Sequence, residues 1–518
     1  MQIANLLEQD FSTISTLIRA HAEAHPAQPA LVQEGRTLNY RDLDAAMDRV
    51  AAALQRDGIA PRDVIAICSA TSLEYAVVFL GSVRAGVTVA PLAPDSTPVG
   101  LAAMVADAGA KLFFLSDGVA GSLGDVATMI GARRIALDDS TAGAALSTWL
   151  AAPGFVPQAV EIEPQWPFNI IYSSGTTGMP KGIVMPYAFR WAQVKLFRVL
   201  GYGPGAVVLV SIPLYSNMTL SSFLPALSLG ATVVLMAKFD AGHYLALSQE
   251  HRVTHSMMVP VQFQRIMARP DFDSYDLSSF CVKSCGSAPF PAALKADVVT
   301  RWPGGLVEYY GMTEGGGVCA LPAHERPDKL HTVGKPAAGH DMRVIDEEGR
   351  ELPRGEIGEI VGRSGTMMVG YHNLPAKTAE VEWFDAEGRR FIRSGDIGRF
   401  DEDGYLVLLD RKKDMVISGG FNVYPIDLEN VLRRHQDVAD AAVFGVPSER
   451  WGESPMACVV LRAGSTTTAD ALMAWANGQL AKAQRLAAVK LVASLPRSDI
   501  GKILKRELRA TWGAVPAP

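Results

Sequence analysis

Residues 169–185, NIIYSSGTTGMPKGIVM, place flexible and polar residues between two apolar stretches. Glycines let backbone N–H groups turn toward an anion, hydroxyls add donors, and Lys181 adds a full positive charge. Ser173, Ser174, Gly175, Thr176, Thr177, Gly178 and Lys181 are therefore the inventory of a polyphosphate cradle. The spacing is not that of a Walker A loop, because residues 175–182 do not fit G-x-x-x-x-G-K-[ST]. A flexible hairpin is the bland alternative, and the density of donors argues against it. Further along, Tyr310 offers an aromatic face for a purine and Glu314 a hard oxygen for Mg²⁺. Asp396 can accept from both hydroxyls of a ribose, and Arg411 can donate to hydroxyl or phosphate. Lys502 follows PRSDIG, a loop composition able to present it into a site. Taken singly, a YGMTEGGG turn, a Gly-Asp turn, an Arg in a charged run and a Lys near a terminus are all usually structural.

The elements that must position these residues alternate. Residues 43–54 space their apolar side chains as a helix, 63–68 read as a buried strand, 74–83 as a helix and 87–92 as a strand. Short apolar runs at 206–212 and 231–236 repeat the strand pattern. The expectation is a layered α/β architecture. After about residue 333, glycines and prolines crowd between short β-like stretches, which predicts a small β-rich subdomain. A charged link, 410–414 (DRKKD), separates this from an α+β module with helices over 427–435 and 470–487 and strands over 441–446 and 456–461. The composition shift puts the major domain joint between 411 and 412, giving domains 1–411 and 412–518.

Composition limits the function classes. At 518 residues the chain is too long for one core, and 48% apolar with 20% charged residues is an ordinary globular balance. No apolar run approaches the ~18 residues needed to span a bilayer. The N-terminus lacks the layout of a signal peptide, so a cytoplasmic location is expected. Five scattered cysteines fit neither a disulfide framework nor a zinc site. A net charge of −6 offers no broad attraction to nucleic acid or to an anionic membrane.

The segment YSSGTTGMPKG resembles the phosphate loop of the acyl-adenylate-forming enzymes: acyl- and aryl-CoA synthetases, peptide-synthetase adenylation domains and firefly luciferase. Other motifs match in the family's order, from about residue 12 to 510. Gly286-Ser287-Ala288 resembles its adenine-side loop, and Glu308, Tyr309, Tyr310, Gly311, Met312 and Thr313 lead into Glu314 as its Y-G-x-T-E motif does. Asp396, Leu408 and Arg411 match its ribose side, and Lys502 its catalytic lysine. The resemblance, nearest to 4-coumarate or feruloyl-CoA ligases and fatty acyl-CoA synthetases, implies an ATP-dependent ligase. Such an enzyme forms an acyl-adenylate with release of pyrophosphate, then passes the acyl group to coenzyme A with release of AMP. Thr176 and Glu314 would hold Mg²⁺, and Lys502, Thr176 and Glu314 would serve the chemistry. Lys413 matches the hinge about which the C-terminal module swings between the steps. Ser418, Gly419, Gly420 and Phe421 match the wall of the thiol tunnel, and a Gly-Gly kink is the bland alternative. The partners implied are a carboxylic acid, ATP and CoA, with no nucleic acid and no stable membrane insertion, acting as a monomer or homodimer.

Departures from the family pattern bear on the acid. Tyr215-Ser216 stands where many relatives have Phe-His, Tyr187 replaces the usual His after the phosphate loop, and Gln484-Arg485-Leu486 replaces Lys-x-Pro. No acidic residue follows Pro213 to pair a substrate amine, unlike a peptide-synthetase domain. The expected acyl pocket draws on Tyr215, Asn217, Met218, Met258, Gly286, Tyr309, Gly315 and Gly316. Its apolar character favours a monocarboxylate over a dicarboxylate. The glycines at 315–317 leave room for an aryl ring, as in a benzoate- or cinnamate-like acid. A medium-chain fatty acid, or loading of a carrier-protein thiol, is the alternative.

Overall fold

The structure, a computed structural model, describes residues 3–173, 180–412, 414–418, 421–448, 451–480, 484–498 and 501–512, with Ser173 and Phe421 described in the backbone only. The chain divides into two compact units: Met1–Leu330 with Ala337–Asp341 and Arg363–Ile392, and His331–Pro336 with Met342–Gly362 and Arg393–Pro518.

In the first unit the strand Val64–Cys68 (VIAIC) is buried almost throughout, so it must be covered on both faces. It pairs in parallel with Thr88–Leu92 on one side and Leu112–Leu115 on the other. The helix Leu73–Arg84 provides the crossover, and Ser72 caps it by accepting from the backbone N–H of Tyr75 at 3.0 Å. This sheet extends through Pro167–Ser173 and Lys181–Pro186 to Gly370–Tyr371. A second sheet runs in the order Cys319–Pro322, Gly305–Tyr310, Val282–Cys285, His255–Met258, Val207–Val210, Thr232–Leu235, Pro29–Gln33 and Arg36–Asn39. Helices Ile14–Ala24, Tyr40–Arg56, Leu73–Arg84, Tyr187–Arg198 and Asn217–Ser228 share one buried apolar core with strands of both sheets. The layered α/β expectation holds, and the elements read from 43–54, 63–68, 74–83 and 87–92 are present within a few residues.

In the second unit, strands Asp341–Ile345, Gly358–Arg363, Arg390–Phe400 and Leu406–Arg411 pair side by side, as the glycine- and proline-rich texture predicts. Beyond them, Val416–Ser418, Phe421–Val423, Val438–Ser448, Gly452–Leu461 and Ala488–Leu491 form a sheet. The helices Pro425–Arg433 and Ala469–Asn477 share the core of Leu428, Val443, Ala457 and Leu472 with that sheet.

One expectation needs correcting. The helix read over 470–487 ends at Asn477, because the Asn477 amide bonds both backbone groups of Leu486, at 2.8 and 3.0 Å. Beyond that bond the chain enters the strand Ala488–Leu491. The joint expected at 411/412 falls inside the second unit. There the Asp410 carboxylate accepts from the backbone N–H of Ile426 at 3.1 Å, and Arg509 pairs with Asp414 at 3.0 Å. Among the described residues, no helix is long and apolar enough to cross a membrane.

Candidate active site

The two strands that flank the phosphate loop form an antiparallel hairpin, with Tyr172 opposite Gly182 and Ser173 opposite Lys181. Ser174, Gly175, Thr176, Thr177 and Gly178 lie outside the described residues. At the base, the Tyr172 hydroxyl donates to Asp107 at 2.7 Å, and His372 bonds the Asp107 carbonyl at 3.0 Å.

Lys181 lies over the ring of Tyr371, 5.0 Å from its centroid, and the Tyr371 hydroxyl donates to the Glu314 carboxylate at 2.8 Å. Burial, with the Glu314 charge adding to it, pushes the Tyr371 phenol upward, so it stays protonated and remains a donor. Lys181 and Glu314, 133 apart in sequence, thus meet one side chain, the first over its ring and the second at its hydroxyl. Glu314 reaches Tyr371 because its segment pairs with the one before it. The Met368 N–H donates to the Glu314 carbonyl at 2.9 Å, and the Gly316 N–H to the Thr366 carbonyl at 3.1 Å. The Glu314 carboxylate is a hard oxygen donor held by a neutral phenol, chemistry that fits Mg²⁺. Among the described residues no group of three or more His, Cys, Asp or Glu gathers as a metal site.

The acyl-side residues meet at one edge of the second sheet. Met258 is in register with Cys285, and Cys285 with Glu308, so Met258, Gly286 and Tyr309 emerge at the carboxyl ends of adjacent parallel strands. That edge is where open α/β sheets bind ligands. Met218 completes the group: its sulfur accepts from the Ser287 hydroxyl at 3.0 Å, with Ser287 itself at φ 70°. A Cβ on Gly286 would come 3.0 Å from the Tyr309 carbonyl, so only glycine fits without displacement. Tyr215, Ala288, Tyr310, Met312 and Thr313 are half-buried around this edge, while Gly311 is exposed.

Two features here differ from expectation. The space at Gly315 is already filled: this residue has φ 78°, and a Cβ there would meet the Thr366 carbonyl oxygen at 1.9 Å. Gly315 serves the strand-like pairing that carries Glu314, not an aryl cavity. Glu308, expected at the nucleotide, turns its carboxylate inward onto Lys295, and both side chains are buried. Burial raises the Glu308 carboxyl to about 7 against the opposing pull of Lys295, which also donates to the Leu330 carbonyl at 2.8 Å.

A buried guanidinium, absent from the sequence-based site, backs the whole edge. Arg190 is 1% exposed on the helix Tyr187–Arg198. It donates to the side-chain oxygens of Asn169 (3.2 and 2.9 Å), Gln193 (2.9 Å) and Asn217 (2.9 Å). No carboxylate is among these acceptors, and the rings of Phe189 and Phe168 lie 5.2 and 5.7 Å away. Burial pulls Arg190 down to about 9, which leaves it charged at neutral pH.

In the second unit, Asp396 and Arg411 are cross-strand partners, their side chains paired at 2.9 Å, and Leu408 sits opposite Gly398 on the same ladder. The ribose-side residues are thus brought together. Lys502 is exposed in a tight turn closed by the Ser498 N–H on the Lys502 carbonyl at 2.9 Å, with Gly501 at φ 77°. Lys413, Gly419 and Gly420 lie outside the described residues, as does the side chain of Phe421. Ser418 is buried on its strand. The backbone N–H of Lys412 donates to the Gly395 carbonyl at 2.9 Å, which fixes the chain just before the hinge candidate.

Tyr371 and Arg190 are the residues that sequence reasoning missed. Tyr371 lies in GYHNLP, a turn-rich segment with no charge to attract notice, and Arg190 looks like one surface cation on a helix.

Residues 18–372 match the model of the AMP-binding enzyme family, and residues 427–502 that of the AMP-binding enzyme C-terminal domain. The chain is 33% identical to the fatty acid–[acyl-carrier-protein] ligase ScoC of Streptomyces coeruleorubidus, over 96% of this chain and 97% of that one. It is also 33% identical to a feruloyl-CoA synthase of an Amycolatopsis species, over 95% and 97%. Among solved structures, ATP-bound MatB from Rhodopseudomonas palustris superposes with a TM-score of 0.85 at 29% identity, over 97% and 99% of the two chains. Both family domains, matched in order over most of the chain, make one conclusion: this chain belongs to the AMP-binding enzyme family, the acyl-adenylate-forming enzymes.

Proposed function

We propose that the protein is an ATP-dependent carboxylic acid:CoA ligase acting on an acid with an apolar, aromatic body. The observation that carries this reading is the convergence of Lys181, Tyr371 and Glu314 at the base of the phosphate-loop hairpin. A cation there suits the charge of ATP's phosphates, and the adjoining pocket edge suits the acid.

In the first step a substrate carboxylate oxygen attacks the α-phosphorus of ATP, and the bond to pyrophosphate breaks. Catalysis is positioning plus charge stabilisation, assigned to Lys502, Lys181 and the hydroxyls of the loop, including Thr176. Glu314 and Thr176 would hold Mg²⁺, which when bound shields charge on the phosphates. In the second step the CoA thiolate attacks the acyl carbon of the mixed anhydride, and AMP leaves. For this step Lys502 has to move away and the strand at Ser418 has to approach, with Lys413 as the hinge. Replacing Lys413 with Pro is expected to slow one half-reaction at least several-fold more than the other; equal rates would remove the hinge.

Likeness to an acyl-carrier-protein ligase supports a carrier-protein thiol as the second candidate acceptor, and a medium-chain fatty acid as the second candidate acid. The test is a pyrophosphate-release screen over aryl and aliphatic acids, with CoA, with a phosphopantetheinylated carrier protein, and with neither. Acid-dependent release stimulated by CoA supports the proposal. Release that needs no acid would overturn it.

A further inference from the structure

Arg190 is a charge buried without a carboxylate, an arrangement that ordinarily costs several kcal/mol. Its contacts show what it holds in place. A guanidinium has only donors, so each amide it touches must present its oxygen. Asn169, Gln193 and Asn217 are therefore fixed in orientation by chemistry.

For Gln193 the consequence is internal. With its oxygen on Arg190, its Nε2 donates to Ser221 at 2.8 Å, and the Ser221 hydroxyl donates to the Asn217 carbonyl at 2.9 Å. Asn217 is thus gripped twice, through its side-chain oxygen and through its backbone. For Asn217 the consequence points outward. Its Oδ1 faces Arg190, so its Nδ2 must face away, and no described protein group accepts from it. Asn217 is half-buried on the first turn of the helix Asn217–Ser228, next to Met218, whose sulfur meets Ser287 beside Gly286.

We infer that Arg190 is a positioning residue that locks the Asn217 amide with its N–H groups presented to the acyl pocket, and that the preferred acid carries a hydrogen-bond acceptor on its body at that point. This rests on the ligase reading above and names the acid's chemistry further: an ether, carbonyl or hydroxyl oxygen in an otherwise apolar skeleton. A pocket built around such a donor disfavours an isostere that leaves it unpaired.

Matched acids that exchange an oxygen for a methylene test it. Suitable pairs are 4-methoxy- and 4-ethylbenzoate, 4-methoxy- and 4-ethylcinnamate, and straight-chain acids with and without an ether oxygen at successive positions. The readout is the ratio of kcat/KM for pyrophosphate release within each pair, which cancels any general loss of activity in a variant. In the wild type at least one pair is expected to favour the oxygen-bearing acid by about tenfold. Asn217→Leu should bring that ratio to near one. Arg190→Met should do the same although Asn217 is intact, whereas Arg190→Lys, still a pure donor, should keep most of the preference. Ratios near one for every wild-type pair, or a preference unchanged in Asn217→Leu, would overturn the inference while leaving the ligase reading intact. Absence of acid-dependent pyrophosphate release with any acid would overturn both.

Discussion

The residues expected to do the chemistry are held in two different ways. In the first unit they are backed by hydrogen bonds and buried charge: Glu314 by the neutral Tyr371 hydroxyl, the strand carrying Tyr309 by the Lys295–Glu308 pair, and Asn217 by Arg190. In the second unit Lys502 is exposed, with the Ser498 N–H on its carbonyl, and half-buried Arg411 pairs with its cross-strand neighbour Asp396. Buried ionic contacts lose several kcal/mol when broken, whereas exposed turns rearrange at little cost. The pocket is built to keep its shape. On the two-step reading proposed above, the segments around Lys502 and Lys413 are the ones that exchange between steps.

Substitutions can break this contrast from either side. The largest effect is expected at Lys502: Lys502→Ala should slow adenylate formation by about 10²- to 10³-fold, while leaving folding unchanged. Transfer from a supplied acyl-adenylate to CoA should survive within about threefold, since the proposed mechanism gives Lys502 no part in that step. Rapid-quench measurement of each half-reaction checks both. Lys295→Met should act the other way, through stability. It leaves the Glu308 carboxylate buried without its partner, at a cost of about 3–5 kcal/mol measurable by urea unfolding.

Tyr371→Phe should be milder. It removes one charge-assisted hydrogen bond from Glu314, worth about 1.5–3 kcal/mol, so the dependence of rate on Mg²⁺ concentration should shift by roughly tenfold. The smallest effect concerns pH. The Asp410 carboxyl is raised by burial from its ordinary 3.8 to about 6, so the folded state holds its proton more tightly than the unfolded chain does. Its stabilising contribution is complete below about pH 4 and is lost as the pH rises through 6. Unfolding of the second unit should therefore become easier across that window, and Asp410→Asn should flatten the slope.

Much of this was legible before the structure because alternating apolar runs favour a layered α/β fold, and five motifs in order identify the family. What escaped reading depends on pairing between distant residues. Glu308 and Tyr309 are sequence neighbours that point to opposite sides of one strand, and only the presence of Lys295 on the helix Ala292–Arg301 decides which side is the interior. Gly315 looked like space because glycine has no side chain, yet the Thr366 carbonyl from 51 residues away occupies that space. Arg190 is indistinguishable from a surface cation until Asn169, Gln193 and Asn217 surround it. The helix over 470–487 failed for a local reason that propensity does not carry, a side-chain amide that mimics a strand partner for Leu486.

The central claim is that the loop at 173–182 grips a leaving pyrophosphate, so that ATP serves as a donor of AMP. It is tested most directly by identifying the nucleotide products formed with an acid that supports turnover in the presence of CoA. The account predicts AMP and pyrophosphate in equal amounts, matched one to one by thioester. ADP and inorganic phosphate as the products would contradict it.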